Sequence, residues 1–100
     1  MINIMLACSM GMSTNMMAEA MSNAAQARGI EARVWAVPEA KTTENAKQAD
    51  VILLGPQLSF KLADMRKQFA PTPVACMEMR TYGMMDGGAA LDQALSMLNQ

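Results

Sequence analysis

The order of apolar and polar runs along these 100 residues predicts an α/β fold: one domain, residues 1–100, built on a four-stranded parallel sheet with helices on both faces. Three observations carry that expectation. Four short apolar runs, at residues 2–7, 30–37, 51–54 and 74–77, alternate with longer stretches whose apolar residues recur every three or four positions. The runs at 2–7 and 51–54 are almost wholly apolar, as strands covered on both faces are. With 52% hydrophobic and 17% charged residues, the chain has material for one continuous core and no room for a second.

The run at 2–7 has no basic flank, is too short for the apolar core of a secretory leader and passes directly into a polar loop, so it reads as a buried strand. From about residue 13 to residue 28 the pattern is helical. Met16, Ala20 and Ala24, with Met17 and Met21, repeat at four-residue spacing, and Ala27 continues the stripe. Ser13 or Thr14 suits the start of that helix, and Arg28 with Gly29 suits its end. In residues 30–37, Ile30, Ala32, Val34 and Ala36 alternate with Glu31, Arg33, Trp35 and Val37, the pattern of an edge strand, which Pro38 ends. Thr42 or Thr43 can cap a short polar helix reaching about Gln48.

Residues 51–54 form a buried strand closed by Gly55, Pro56 and Gln57. Leu58, Leu62, Met65 or Arg66, and Phe69 trace a third helix, and Pro71 and Pro73 lead into the strand at 74–77. Tyr82, Gly83 and Asp86 to Gly88 punctuate a loop before the last helix, about residues 89–98, with Leu91, Ala94, Leu95 and Leu98 facing inward. No apolar stretch reaches the roughly 18 residues of a membrane span, so no direct membrane insertion is expected.

Eight basic and nine acidic residues, scattered to a net charge of −1, leave no basic block to track a phosphate backbone, so nucleic acid is not an expected partner. Cys8 and Cys76 make neither a short-spaced metal pair nor a disulfide framework and read as reduced thiols. The absence of histidine excludes histidine-based triads, imidazole metal ligands and phosphorylation on a histidine of its own. The acidic residues stand apart from one another, so no metal is expected. No cofactor is expected either, since neither GxGxxG nor GxxxxGK[ST] occurs.

In parallel α/β sheets, sites lie beyond the carboxyl ends of the strands, where the strand order reverses. The loops at Cys8, at Gly55 and at residues 77–88 then share one edge. Cys8, Ser9, Met10, Gly11, Met12, Ser13 and Thr14 place a thiol at a strand end, small residues behind it and hydroxyls just before a helix. Backbone N–H groups at a helix N-terminus hold a phosphate or other anion. Cys8 is thus a candidate nucleophile, set against the plainer reading of a small buried hydrophobe at a strand end. Gly11 permits close approach, and Ser9, Ser13 and Thr14 can donate to phosphoryl oxygens. A cysteine phosphatase uses the same device but needs an arginine at the sixth position after the cysteine. Thr14 stands there, so the bidentate clamp on a transferring phosphoryl group is missing. A loop that accepts a phosphoryl group without equipment for releasing it to water suits a relay.

Cys8-Ser9-x-Gly11-Met12-Ser13-Thr14, Leu53-Leu54-Gly55-Pro56-Gln57 and Tyr82-Gly83-x-x-Asp86-Gly87 together resemble the lactose/cellobiose-type IIB component of the bacterial phosphoenolpyruvate-dependent sugar phosphotransferase system. The resemblance spans essentially the whole chain. It implies a sheet like that of the low-molecular-weight tyrosine phosphatases, with Cys8 as the phosphorylated cysteine and Ser9 to Asn15 as its phosphate-binding loop. The implied role is to take a phosphoryl group from a phosphohistidine on a IIA component and pass it to a sugar, a β-linked disaccharide such as cellobiose, chitobiose or lactose, bound by the membrane IIC component. A cytoplasmic protein, transiently at the inner face of the membrane through IIC, is implied as well. Asn15 departs from the small hydroxyl residue usual in related loops but can still donate a hydrogen bond or cap the helix. The alternatives are a cysteine-dependent low-molecular-weight phosphatase, which the missing arginine opposes, and a non-catalytic anion-binding adaptor, which covalent phosphate on Cys8 would eliminate.

Gln57 follows a buried strand and could place its amide beside the Cys8 loop, or simply begin a helix. Tyr82 could form part of the rim or donate to a phosphoryl oxygen, or serve packing alone. Asp86 reads as a turn residue and helix cap, and Cys76 as core. Met10, Met12, Met84 and Met85 offer an apolar rim for partner docking, with satellite core packing as the other reading.

Overall fold

The alternation within the first and third strands sorts their side chains into two cores, one on each face of the sheet. The computed structural model describes residues 1–9 and 11–98, and of residues 11–13 the backbone alone. In chain order it contains β1 (Ile2–Cys8), α1 (Gly11–Ala27), β2 (Ala32–Pro38), α2 (Thr42–Asn45) between the 3-10 turns Glu39–Lys41 and Ala46–Gln48, and β3 (Val51–Leu54). A 3-10 segment, Pro56–Lys61, leads to α3 (Leu62–Phe69), followed by β4 (Val74–Cys76), α4 (Met79–Gly83) and α5 (Gly87–Leu98). All strand pairings are parallel, in the order β2-β1-β3-β4. From β1 the chain steps one way to β2 and the other way to β3 and β4, so the carboxyl ends of β1 and β3 flank the reversal.

On one face Ile4, Leu6, Val51 and Leu53 pack against Met17, Ala18, Met21 and Ala25 of α1 and Ala90, Leu91 and Ala94 of α5. On the other, Met5, Ala7, Ile52 and Leu54 meet Val37, Leu58 and Met65. Each large side chain fully buried this way contributes about 1.5–3 kcal/mol relative to an exposed one. The edge position of β2 and the inward faces of α3 and α5 agree with the sequence pattern.

The structure corrects several details. The α1 helix begins at Gly11, so Ser13 and Thr14 lie inside its first turns and do not cap it. Its buried stripe is Met17, Ala18, Met21 and Ala25, while Met16 and Ala27 are exposed. Two stripes at four-residue spacing ran side by side, and contact with the sheet selected one. The end is as expected: Gly29 adopts φ 70°, Ile30 N–H donates to Ala25 O at 2.9 Å, and Gly29 N–H to Gln26 O at 3.1 Å, a Schellman closure. Thr42 donates its hydroxyl to Glu39 O and caps nothing. The helix expected from Leu58 starts as the 3-10 segment and becomes α-helical only at Leu62.

The stretch after β4 holds a short helix, α4, where sequence suggested a loop. Asp86 then accepts the Ala89 N–H at 3.0 Å, capping α5 from Gly87 onward. Gly87 is where α5 meets α1: a Cβ there would lie 2.4 Å from the carbonyl carbon and oxygen of Ala20.

Candidate functional site

Pairing of Ala7 with Leu54 places Cys8 and Gly55, the next residues on each strand, side by side. Gly55 N–H continues the ladder to Ala7 O at 2.7 Å, and Met77 N–H reaches Leu54 O at 2.9 Å, so the exits of β1, β3 and β4 adjoin. Gly55 leaves room for a close neighbour. A Cβ on it would stand 3.4 Å from the Cβ of Cys8 and only 2.4 Å from Oε1 of Gln57, so the Gln57 carboxamide folds back across Gly55 toward Cys8. Pro56, at the first position of the 3-10 segment, sets this turn.

A cavity of about 410 Å³ opens here, lined by Pro56, Gln57, Met79, Tyr82 and Gly83. Tyr82 stands half-buried on α4, with its hydroxyl 3.3 Å from Oγ1 of Thr14, which is fully buried in the first core. Through this contact the start of α1 meets α4. The position where a phosphatase carries arginine is therefore a closed one, filled by a threonine hydroxyl that faces a tyrosine hydroxyl.

Cys8 itself is 1% exposed. From it the chain passes through a bend at exposed Ser9 to α1, a 17-residue helix with no acidic residue in its first turn. The N–H groups in the first turn of such a helix have no intrahelical partner and carry the positive end of its dipole. Met10, and everything but the backbone of residues 11–13, fall outside the described residues, so the contacts expected of Met10, Met12 and Ser13 do too. Asn15 is exposed.

Of the expected methionine rim, Met84 is exposed and Met85 packs partly buried on the first core. Met79 and Phe60, which sequence reading did not single out, are also exposed. Met79 could have been found from its three-residue spacing to Tyr82, had the short helix been expected. Cys76 is half-buried, and burial pushes its thiol up from the ordinary value, partly opposed by the Arg66 guanidinium. Among the described residues no three His, Cys, Asp or Glu gather as a metal site, and no helix is long and apolar enough to cross a membrane.

A four-stranded parallel sheet of this order, helices on both faces, is the fold shared by phosphotransferase-system IIB components and low-molecular-weight tyrosine phosphatases. It superimposes with a TM-score of 0.83 on the lactose-specific IIB component domain from Streptococcus pneumoniae, over 96% of each chain and at 14% identity, a likeness of fold. With the cellobiose-specific phosphotransferase IIB component from Borrelia burgdorferi the TM-score is 0.80 at 31% identity, over 98% of this chain and 92% of that one. The oligo-β-mannoside-specific EIIB component of Bacillus subtilis is 44% identical over 97% of each chain. The cellobiose-specific EIIB component of Lactococcus lactis is 33% identical over 96% of this chain and 95% of that one. Residues 3–93 match the family described as PTS system, Lactose/Cellobiose specific IIB subunit, and the chain belongs to that family. It is thus a phosphotransferase component, a phosphoryl relay of a sugar-uptake system whose IIB members work with IIA and IIC partners.

Proposed function

We propose that Cys8 is the phosphoryl carrier. What supports this above all is its place: the exit of β1 at the strand reversal, ahead of a long helix and beside the Gln57 carboxamide. Cys76, at the end of the edge strand β4, is followed by the five-residue α4. The Cys8 thiolate attacks the phosphorus of a phosphohistidine on IIA in line with the P–N bond. As the S–P bond forms, the P–N electron pair returns to the imidazole nitrogen, which takes up a proton. In the second step a sugar hydroxyl on IIC attacks the phosphorus and gives up its proton, and sulfur leaves as thiolate.

The backbone N–H groups of Met10 to Ser13, the hydroxyls of Ser9 and Ser13 and the Asn15 amide hold the phosphoryl oxygens through these steps, and Thr14, its hydroxyl facing Tyr82, supports the loop from behind. Gln57 donates from the opposite side. Hydrolysis is disfavoured by Thr14, whose burial leaves no room for a guanidinium. The sugar is a β-linked disaccharide, a reading supported by the oligo-β-mannoside and cellobiose specificities of two relatives. The protein works in the cytoplasm and joins the inner membrane face only through IIC.

The test is Cys8→Ser, presented with a phosphorylated IIA-type donor and followed by intact mass at neutral or mildly alkaline pH. The variant keeps its fold, since oxygen and sulfur differ little in volume, and accepts no phosphate, since serine has no histidine here to activate it. Acceptance by the folded serine variant at the parental rate would remove Cys8 from the mechanism.

A further inference from the structure

We propose that Tyr82 is a positioning residue for phosphoryl transfer, acting on the first turn of α1 through the Thr14 hydroxyl instead of touching the phosphoryl group. The proposal rests on Cys8 as the acceptor. Thr14 is fully buried on α1, and its Oγ1 lies 3.3 Å from the Tyr82 hydroxyl, longer than a strong hydroxyl–hydroxyl bond but within reach of one. A threonine hydroxyl in a helix otherwise turns onto its own backbone, which bends the helix. Tyr82 gives this one a partner outside α1.

Tyr82 can do so because its own position is over-determined. Its N–H donates to Glu78 O, its carbonyl accepts Met85 N–H, and its ring packs on the first core. Asp86 N–H bonds Thr81 O while the Asp86 carboxylate caps α5, which ties α4 to the start of that helix. The α5 helix in turn rests on Ala20 of α1 through Gly87. These contacts close a ring: α4, α5, Ala20, Thr14 and back to Tyr82. The α1 helix is therefore held at two points six residues apart, about 9 Å along its axis. The upper point lies immediately behind the N–H groups of residues 11–13. A shift there misaims the donors without unfolding anything, and transition-state donors are effective only when pre-aimed.

The test uses Tyr82→Phe, which keeps the ring, Thr14→Val, which keeps the shape, and the double variant. Phosphoryl transfer from a phosphorylated IIA-type donor is measured as kcat and KM, with amide chemical shifts of residues 11–13 recorded in the unphosphorylated proteins. Each single variant should lower kcat by about two- to tenfold, the worth of one neutral hydrogen bond, with donor KM unchanged. The double variant should be no slower than the worse single, both singles should shift the same amides, and Thr14→Ser should restore the parental rate. Multiplying losses in the double variant would mean that Tyr82 contacts the phosphoryl group directly and would overturn the proposal. A raised KM at constant kcat would make it a docking residue, and unmoved amides would also overturn it. Should Tyr82→Phe fail to fold, Thr14→Val and Thr14→Ser decide by the same amide shifts. Failure of the Cys8 reading is separate, because it appears as phosphate on Cys8→Ser.

Discussion

Replacing Gly55 with alanine adds one methyl group beside the candidate nucleophile, and each of its consequences can be worked from the surroundings of that methyl. Gly55 has φ −62° and ψ 152°, open to any residue, so alanine brings no backbone strain and restricts the unfolded chain, a gain of about 0.4–1 kcal/mol. The new Cβ meets Cys8 Cβ at 3.4 Å and Ala7 O at 3.6 Å, both ordinary contacts. It cannot coexist with Gln57 Oε1 at 2.4 Å. That atom is the tip of an exposed side chain, and moving it to a less favoured rotamer costs about 0.5–1.5 kcal/mol. The two terms nearly cancel, so thermal unfolding should shift by no more than about 4–8 °C either way. Function should not be spared. A hydrogen bond to a charged phosphoryl oxygen is worth about 1.5–3 kcal/mol, so displacing the carboxamide slows phosphoryl acceptance by about ten- to a hundredfold. Calorimetry and rapid-quench transfer from a phosphorylated IIA donor measure the two effects. Gln57→Ala should reproduce the slow rate, and adding Gly55→Ala to it should change nothing further. A Gly55→Ala protein that transfers at the parental rate while Gln57→Ala is slow would refute the placement of the carboxamide.

The same substitution at Gly87 has the opposite character, because its Cβ would strike the backbone of Ala20, which cannot swing away: α1 and α5 must part. Overpacking of this kind costs about 1–3 kcal/mol, so Gly87→Ala should melt roughly 5–20 °C lower, and an unchanged melting temperature would contradict the contact. Burial raises the Cys76 thiol above its unfolded value, so its contribution to stability is complete below about pH 8.5 and is lost as pH rises through the folded value. In a Cys8→Ser background, alkylation at pH 8 should therefore be slower in the folded protein than in denaturant, and equal rates would count against the burial.

The parts of the fold legible in sequence were those set by period. The run at 51–54 and the alternation at 30–37 declare a central and an edge strand, and the sheet has them so. Leu91, Ala94 and Leu98 declare the inward face of α5 by their spacing. Where two periods overlap, sequence cannot choose: Met16 and Met17 head equally good stripes, and only the sheet tells them apart. The five-residue α4 is too short to show a period, which is why Tyr82 and Met79 read as loop. The site was legible as a set of strand ends, because topology dictates which loops share an edge. That Gln57 folds over Gly55 and that Thr14 is sealed against Tyr82 depends on ångström-scale approach between segments far apart in the chain. Residue spacing carries no trace of it.

The Thr14–Tyr82 contact also bears on how far this fold stands from its hydrolytic cousins. If relay and phosphatase differ by an arginine at the sixth position after the nucleophile, the two look one codon apart on paper. Here that position is walled in, and an arginine placed on it would have to bury a charge in the space the tyrosine hydroxyl occupies. An arginine at Thr14 is therefore expected to displace Tyr82, 68 residues away in the chain, before it can serve as a clamp, so the two positions are coupled. The missing clamp is thus tied to the packing of α4 on α1, a property of the fold and not of one position alone.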